Sequence, residues 1–325
     1  MNRKSLFMLT ALAVALVVAW YWIGQTQRSP EVAQMPAWLP ELQAVQVSAI
    51  DVQRAGQPKV RLERREQGWV VPDKADYPAD QAAVAALLNA LVEARRVEPR
   101  TANPELYGRL GLAEQGESEQ QAVRLTLEQT EQPPLALLIG KPGQHDGQLV
   151  RQVGDPQSWL ISRLIELPAT ELQWLDRRIT AVPFSAVREL DLQHATGERL
   201  TLLRDTPQDA SLQPSELPRG KRLAFEGAAN GMGQFFADLR FADAAPLAQL
   251  DFAGKPALRF TLRTFDDKTL KGRIHSKGEQ YWLLLDEGSE LSASELFGRS
   301  DWAYRVEAYQ YQSLSRKLTD LLATD

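Results

Sequence analysis

The sequence predicts an α+β protein: an N-terminal single transmembrane helix followed by two tandem, similar units, each an antiparallel sheet plus a helix. Three observations carry this expectation. Residues 6–23 are apolar and uncharged, two hairpin-like segments align without a gap, and helix-spaced apolar residues recur between strand-like runs. The expected division is a cytoplasmic tip at 1–5, a transmembrane helix at 6–23, a linker at 24–41, a first α+β repeat unit at 42–181 and a second at 182–325.

Leu6 to Ile23 reads LFMLTALAVALVVAWYWI, interrupted in its apolar part by Thr10 alone. At 1.5 Å per residue a helix of this length spans roughly 27 Å, close to a bilayer core. Arg3 and Lys4 flank it on one side, and Trp20, Tyr21 and Trp22 form the aromatic cluster that suits a headgroup region on the other. The positive-inside rule puts Met1 in the cytoplasm and the remainder on the exported side, as a single-pass membrane protein. A cleaved secretory signal competes with this reading, but bulky aromatics stand where small residues should precede the cut. Either reading exports everything after Ile23. The next stretch, punctuated by Pro30, Pro36 and Pro40, suits a spacer, although Trp38 and Leu39 within it are equally suited to dock on the first unit.

Ile50–Arg64 aligns with Leu190–Arg204, pairing Asp51 with Asp191, Gln53 with Gln193, Leu62 with Leu202 and Arg64 with Arg204. Apolar alternation on both sides of a turn marks each as a β-hairpin. The turns, Ala55–Pro58 and Ala195–Glu198, use residues that tolerate tight geometry. Further on, Ala122–Leu127 matches Ala257–Leu262 at four of six positions, and Gly140 follows in the first copy where Gly272 does in the second. Between these strand groups Val84, Leu87, Leu88, Leu91 and Val92 lie on one face of a helix, and Met232, Phe235, Phe236 and Leu239 repeat the spacing. A short amphipathic helix over Leu314–Leu322 ends the chain.

Composition excludes several classes of function. There is no cysteine, hence no disulfide scaffold, thiolate metal site, cysteine nucleophile or lipoprotein anchor. With 37 Lys and Arg against 42 Asp and Glu, a net charge of −5 argues against nucleic-acid binding. His145, His194 and His275 lack further ligands at metal spacing, and His194 aligns with Arg54 as a solvated turn position does. Each Gly-Lys pair lacks the Ser or Thr of a phosphate loop. The glycines of Gly227–Gly233 read as a flexible entry to a helix, and Asp286, Glu287, Glu290 and Glu295 as a solvated connection. No catalytic, cofactor-binding or metal-binding residue is assigned. Trp69, Trp159, Trp174, Trp282 and Trp302 suit core packing. Trp302, Tyr304, Tyr309 and Tyr311 form a terminal aromatic stripe at alternating spacing, a candidate partner surface.

Leu62–Arg65, Gly68–Val71, Tyr77–Asp80 and Asn103–Leu112 give the run from Leu42 to Leu112 a form that resembles the bacterial family catalogued as domain of unknown function 4340. The likeness extends through Trp159, whereas the second copy lacks the Tyr-Pro-Ala-Asp and Tyr-Gly-Arg-Leu-Gly segments. It implies a subunit anchored by a single pass in the bacterial inner membrane with its C-terminal units in the periplasm, and association with ABC transporter systems of the gliding-motility type, with permease and ATPase subunits as partners. It supplies no catalytic residues. The expected function is a non-catalytic periplasmic auxiliary subunit or protein-interaction module of an ABC transporter or envelope assembly. The alternatives are an envelope carbohydrate-active hydrolase using Asp and Glu, or a glycan or ligand receptor.

Overall fold

A computed structural model describes residues 35–323. The chain divides between Trp174 and Leu175 into two compact units.

In the first unit a 3-10 turn, Ala44–Gln46, leads into strands β1 (Val47–Gln53), β2 (Val60–Arg65), β3 (Gly68–Val71) and β4 (Tyr77–Pro78). Helix α1 (Gln81–Glu93) follows, then β5 (Arg96–Pro99) and a single helical turn, α2 (Tyr107–Leu110). A meander closes the unit: β6 (Val123–Gln129), β7 (Leu135–Pro142), β8 (Gln148–Gln152) and β9 (Ser158–Ile161). The nine strands form one sheet in the order β4-β3-β2-β1-β6-β7-β8-β9-β5. The register sets Ile50 against Leu62 and Leu127, and Val52 against Leu125, so the buried side chains of three strands share one face. Helix α1 covers sheet residues with Val84, Leu87, Leu88 and Leu91, and Asp80 caps it by accepting from the amides of Ala82 and Ala83. A separate cluster of Tyr107, Leu112 and Leu138 is packed by Leu110, Ala122, Leu149 and Val153.

The second unit opens with β10 (Arg178–Thr180), then β11 (Val187–His194), β12 (Arg199–Leu203) and β13 (Gln213–Pro214). A short helix, α3 (Asn230–Gln234), precedes β14 (Leu239–Arg240) and β15 (Asp243–Pro246). Strands β16 (Leu258–Thr264), β17 (Thr269–Lys277), β18 (Gln280–Leu285) and β19 (Trp302–Val306) complete the sheet, before helices α4 (Ala308–Leu314) and α5 (Leu318–Leu321). Eight strands run in the order β13-β12-β11-β16-β17-β18-β19-β15, and β10 pairs with β14 in a sheet of two. The strand order thus matches that of the first unit, with one strand fewer at the β13 edge. Where the first unit has α2, the second has a 3-10 turn, Leu247–Gln249, and Leu247, Leu250 and Phe252 pack on Trp282, Leu284 and Ala303.

The α+β expectation is corrected: among the described residues the architecture is mainly antiparallel sheet, and only α1, with thirteen residues, is longer than two turns. The helix expected around Met232–Leu239 shrinks to the five residues of α3. Gly231 and Gly233 disfavour helix, and Gly233 is held by close packing, since a Cβ there would lie 2.7 Å from Leu212 Cδ1 and 2.9 Å from Phe184 Cε2. Leu239 instead enters β14 and pairs with Thr180. The terminal helix expected at Leu314–Leu322 begins earlier, at Ala308, and is broken between Leu314 and Leu318. No described helix is long and apolar enough to cross a membrane. The span expected at Leu6–Ile23, with its flanks Arg3, Lys4, Trp20, Tyr21 and Trp22, lies outside the described residues.

Candidate functional site

The stretch read as a spacer supplies one wall of a cleft in the first unit. Trp38 is buried, its amide donates to Ala94 O at 2.9 Å, and Arg96 N donates to Pro36 O at 2.9 Å. Pro36–Trp38 is therefore laid along the chain just ahead of β5, with Ala37 bridged to Arg95. The cleft, about 450 Å³, is bounded by Trp38–Leu42, Arg96, Gln129, the turn Gln132–Leu135 and Gln152. Arg96 Nη2 donates to Trp38 O at 3.3 Å, and its guanidinium sits 5.1 Å from the ring centre of Trp159. Two atoms of these lining residues, Arg96 Nε and Gln129 Oε1, are buried without a hydrogen-bond partner, a cost on the order of 1–3 kcal/mol each. The walls otherwise combine prolines and leucines with amide side chains, and Glu41 is the single carboxylate among them.

A second groove, about 370 Å³, lies where α1 meets the first hairpin, between Val45, Arg64, Trp69, Gln81, Leu88 and Asn89. Gln81 fixes the strand beside it, accepting from Trp69 N at 2.9 Å and donating to Trp69 O at 2.8 Å. Arg64 stacks 5.0 Å above Trp69 and donates to the carbonyls of Val45 and Ala44 at 2.7 and 3.0 Å. Its aligned counterpart, Arg204, does the same in the second unit, donating to Val187 O and Phe184 O from between the rings of Phe184 and Phe265. These arginines hold the 3-10 turns Ala44–Gln46 and Phe184–Ala186 to the hairpins that follow them. Tyr107 is likewise structural, because its hydroxyl donates to Pro156 O at 2.6 Å, and Arg151 lies 4.4 Å over its ring while pairing with Glu114 at 2.8 Å.

The four residues of the terminal aromatic stripe do not share a surface. Trp302 and Tyr304 are buried on β19, where Tyr304 packs on Phe241 and its hydroxyl accepts from Arg299 N at 2.6 Å. Tyr309 is 70% exposed, and Tyr311 stacks on Tyr281 with ring centres 3.9 Å apart. The five-residue step from Tyr304 to Tyr309 is out of phase with a two-residue period, and the chain turns helical at Ala308, so the two pairs do not share a strand face. His194 is buried rather than solvated, and burial lowers its pKa; His275 is also buried, beside Phe252. Among the described residues no three His, Asp or Glu side chains are grouped to hold a metal. The acidic stretch is divided among separate partners, Asp286 with Arg273 and Glu295 with Lys268 and Ser292.

A carboxylate pair does occur on β11, where Glu189 and Asp191 both reach Arg263. Burial, and then the neighbouring Asp191, raise the Glu189 pKa despite the arginine. Its folded-state pKa thus exceeds its unfolded one, so its stabilising contribution is complete below the ordinary glutamate value and is lost as pH rises through the raised value. Glu189→Gln is expected to gain stability relative to wild type as pH rises from about 4 to 7. Urea midpoints across that range measure it, and a difference independent of pH would contradict it.

A family model described as Domain of unknown function (DUF4340) matches residues 69–230. The match takes in Tyr77–Asp80 and Asn103–Leu112, starts after Leu62–Arg65, and continues past Trp159 into the second unit. No curated protein and no solved structure matches the chain.

Proposed function

We propose, for a chain that belongs over residues 69–230 to the DUF4340 family, a non-catalytic role as an auxiliary subunit or protein-interaction module of an ABC transporter or another envelope assembly. The apolar Leu6–Ile23 segment behind Arg3 and Lys4 favours export of the folded units. The observation that carries the reading is the chemistry of the first unit's cleft. Its polar groups are amides and a guanidinium, and its one carboxylate, Glu41, falls short of the pair that glycoside hydrolysis uses. Groups that hydrogen-bond without exchanging protons near neutral pH suit recognition better than reaction. ABC permease and ATPase subunits are the proposed partners.

Co-purification of the full chain from its native envelope in mild detergent, read by mass spectrometry, tests this. The expected result is near-stoichiometric recovery of permease and ATPase subunits, absent from a tag-only control. Recovery of the chain alone would overturn the subunit reading and direct assays toward glycan binding and hydrolysis.

A further inference from the structure

The two units can be superposed in register by their hydrogen bonds. Val47 pairs with Gln129 as Val187 does with Thr264. Thr130 N donates to Gln46 O as Phe265 N does to Ala186 O, and Val153 N to Ala136 O as Asp286 N does to Lys271 O. Ahead of the edge strands, Arg96 N donates to Pro36 O as Phe241 N does to Arg177 O, and Ala37 bridges Arg95 as Arg178 pairs with Arg240. Counted on from those pairs, Trp38–Pro40 correspond to Ile179–Ala181, where the second unit has a bulge between Arg178 and Thr180, and the turn Gln132–Leu135 corresponds to Asp267–Leu270. Both sets of first-unit residues line the cleft.

In the second unit the corresponding place is occupied by the chain itself. Ala181 N donates to Glu295 O at 2.8 Å, and Phe297 N and Gly298 N both donate to Ile179 O at 3.0 Å. Thr180 bridges Leu296 in antiparallel fashion. From the turn, Thr269 O accepts from Glu290 N at 2.8 Å and Lys268 reaches Glu295 at 3.1 Å. This filling segment belongs to the long connection between β18 and β19, residues 286–301, whereas the first unit joins β8 to β9 through residues 153–157. The shorter connection leaves the place open.

We propose that the cleft of the first unit is a docking groove for an extended polypeptide segment of a partner protein, laid beside Trp38–Pro40 as Glu290–Gly298 is laid beside Ile179–Ala181. The inference rests on the interaction-module reading and names the chemistry of the contact. An added strand gains affinity from main-chain hydrogen bonds and selectivity from the pockets its side chains meet. Trp38 O, whose counterpart Ile179 O accepts two amides, is the acceptor for the incoming chain. Pro40 has no N–H where Ala181 donates, so the donor in the first unit is the Arg96 guanidinium, which can meet an incoming carbonyl. Pro133 and Pro134 replace Lys268 and Thr269, so the groove favours an uncharged apolar residue where the second unit places Glu295.

The probe is a synthetic peptide of the chain's own residues 290–299 with alanine in place of Glu295, titrated into the full chain against a scrambled control. Saturable binding with Kd below about 1 mM, with slowed amide exchange at Leu39, Glu41, Leu42, Gln132 and Leu135, is the expected result. Gln152→Trp, which fills the groove, and Gln132→Trp at its rim should each weaken binding at least about tenfold, a change of ~1.4 kcal/mol. Absence of saturation, or affinity unchanged in both variants, would overturn the proposal. Such a failure leaves the co-purification test untouched, because that test reads every surface of the chain.

Discussion

Gly272→Ala is expected to destabilise the second unit by roughly 3 kcal/mol, and Gly140→Ala the first by a similar amount. The register sets Gly272 opposite Phe260 as it sets Leu137 opposite Leu125, so Gly140 is not the counterpart of Gly272 that the sequence suggests, and different neighbours exclude a side chain at each. At Gly272 a Cβ would lie 2.5 Å from Phe260 Cζ and 2.7 Å from Leu284 O. The phenyl ring is nearly fully buried, and the carbonyl belongs to the adjoining strand β18, so neither can withdraw without disturbing the sheet. At Gly140 the obstacles are Leu110 O at 2.5 Å and the Leu112 side chain at 2.9 Å, both contributed by the segment that follows α2 or ends it. Gly231→Ala is the matched control. Its nearest neighbour would be Ser313 Oγ at 3.6 Å, so the change is tolerated sterically and favours helix α3 by up to about 1 kcal/mol. Denaturant midpoints of the three variants check this ordering, and an unchanged midpoint for Gly272→Ala would refute the steric account.

The second large effect is expected at Arg204. Arg204→Ala should cost about 3 kcal/mol or more, whereas Arg64→Ala should cost only about 1 kcal/mol, although the two side chains serve corresponding positions. Arg204 is 5% exposed, donates to the carbonyls of Phe184, Val187 and Asp209, and lies with its guanidinium 4.6 and 5.5 Å from the centres of the Phe184 and Phe265 rings. Burial lowers its pKa, but an arginine stays charged throughout the accessible range. Its removal leaves several carbonyls without donors and a void between two rings. Arg64 makes comparable bonds at the edge of an open groove, where water can replace them. Arg204→Lys should recover little, because a single ammonium cannot span the carbonyls that the planar fork reaches. Urea unfolding of Arg204→Ala, Arg204→Lys and Arg64→Ala decides the point; equal losses at 64 and 204 would show that burial is not the controlling variable.

The aligned hairpins are legible because a strand's two-residue period writes its buried face directly into the order of residues. Ile50, Val52 and Leu62 match Leu190, Leu192 and Leu202, and all six are buried in the two sheets. The expected second helix fails because Met232, Phe235, Phe236 and Leu239 are all buried, but for reasons that change along the chain. The first lies in α3, the phenylalanines in the turn that follows it, and Leu239 in a strand. Helical spacing describes such a succession as well as it describes one helix, and the intervening glycines are the contrary signal. The aromatic stripe fails for a similar reason: alternation from Trp302 to Tyr304 is genuine strand periodicity, and it stops where Glu307 and Gln310 form a capping box for α4.

Trp38 marks the limit of what local pattern conveys about the candidate site. A tryptophan among prolines suits a spacer or a docked edge equally well, and only its bond to Ala94, far along the chain, distinguishes them. Local chemistry, written residue by residue, determined by itself the duplicated hairpins, the meanders, the exclusion of cysteine chemistry and the resemblance to DUF4340 from Leu42 through Trp159, which the family match at residues 69–230 supports. The tertiary structure alone decided that sheet dominates, that Arg64 and Arg204 differ in burial, and that the first unit keeps open a place the second fills. Each of these depends on what distant segments bring to one point, and in the cleft's case on the lengths of two loops, which have no periodicity to read.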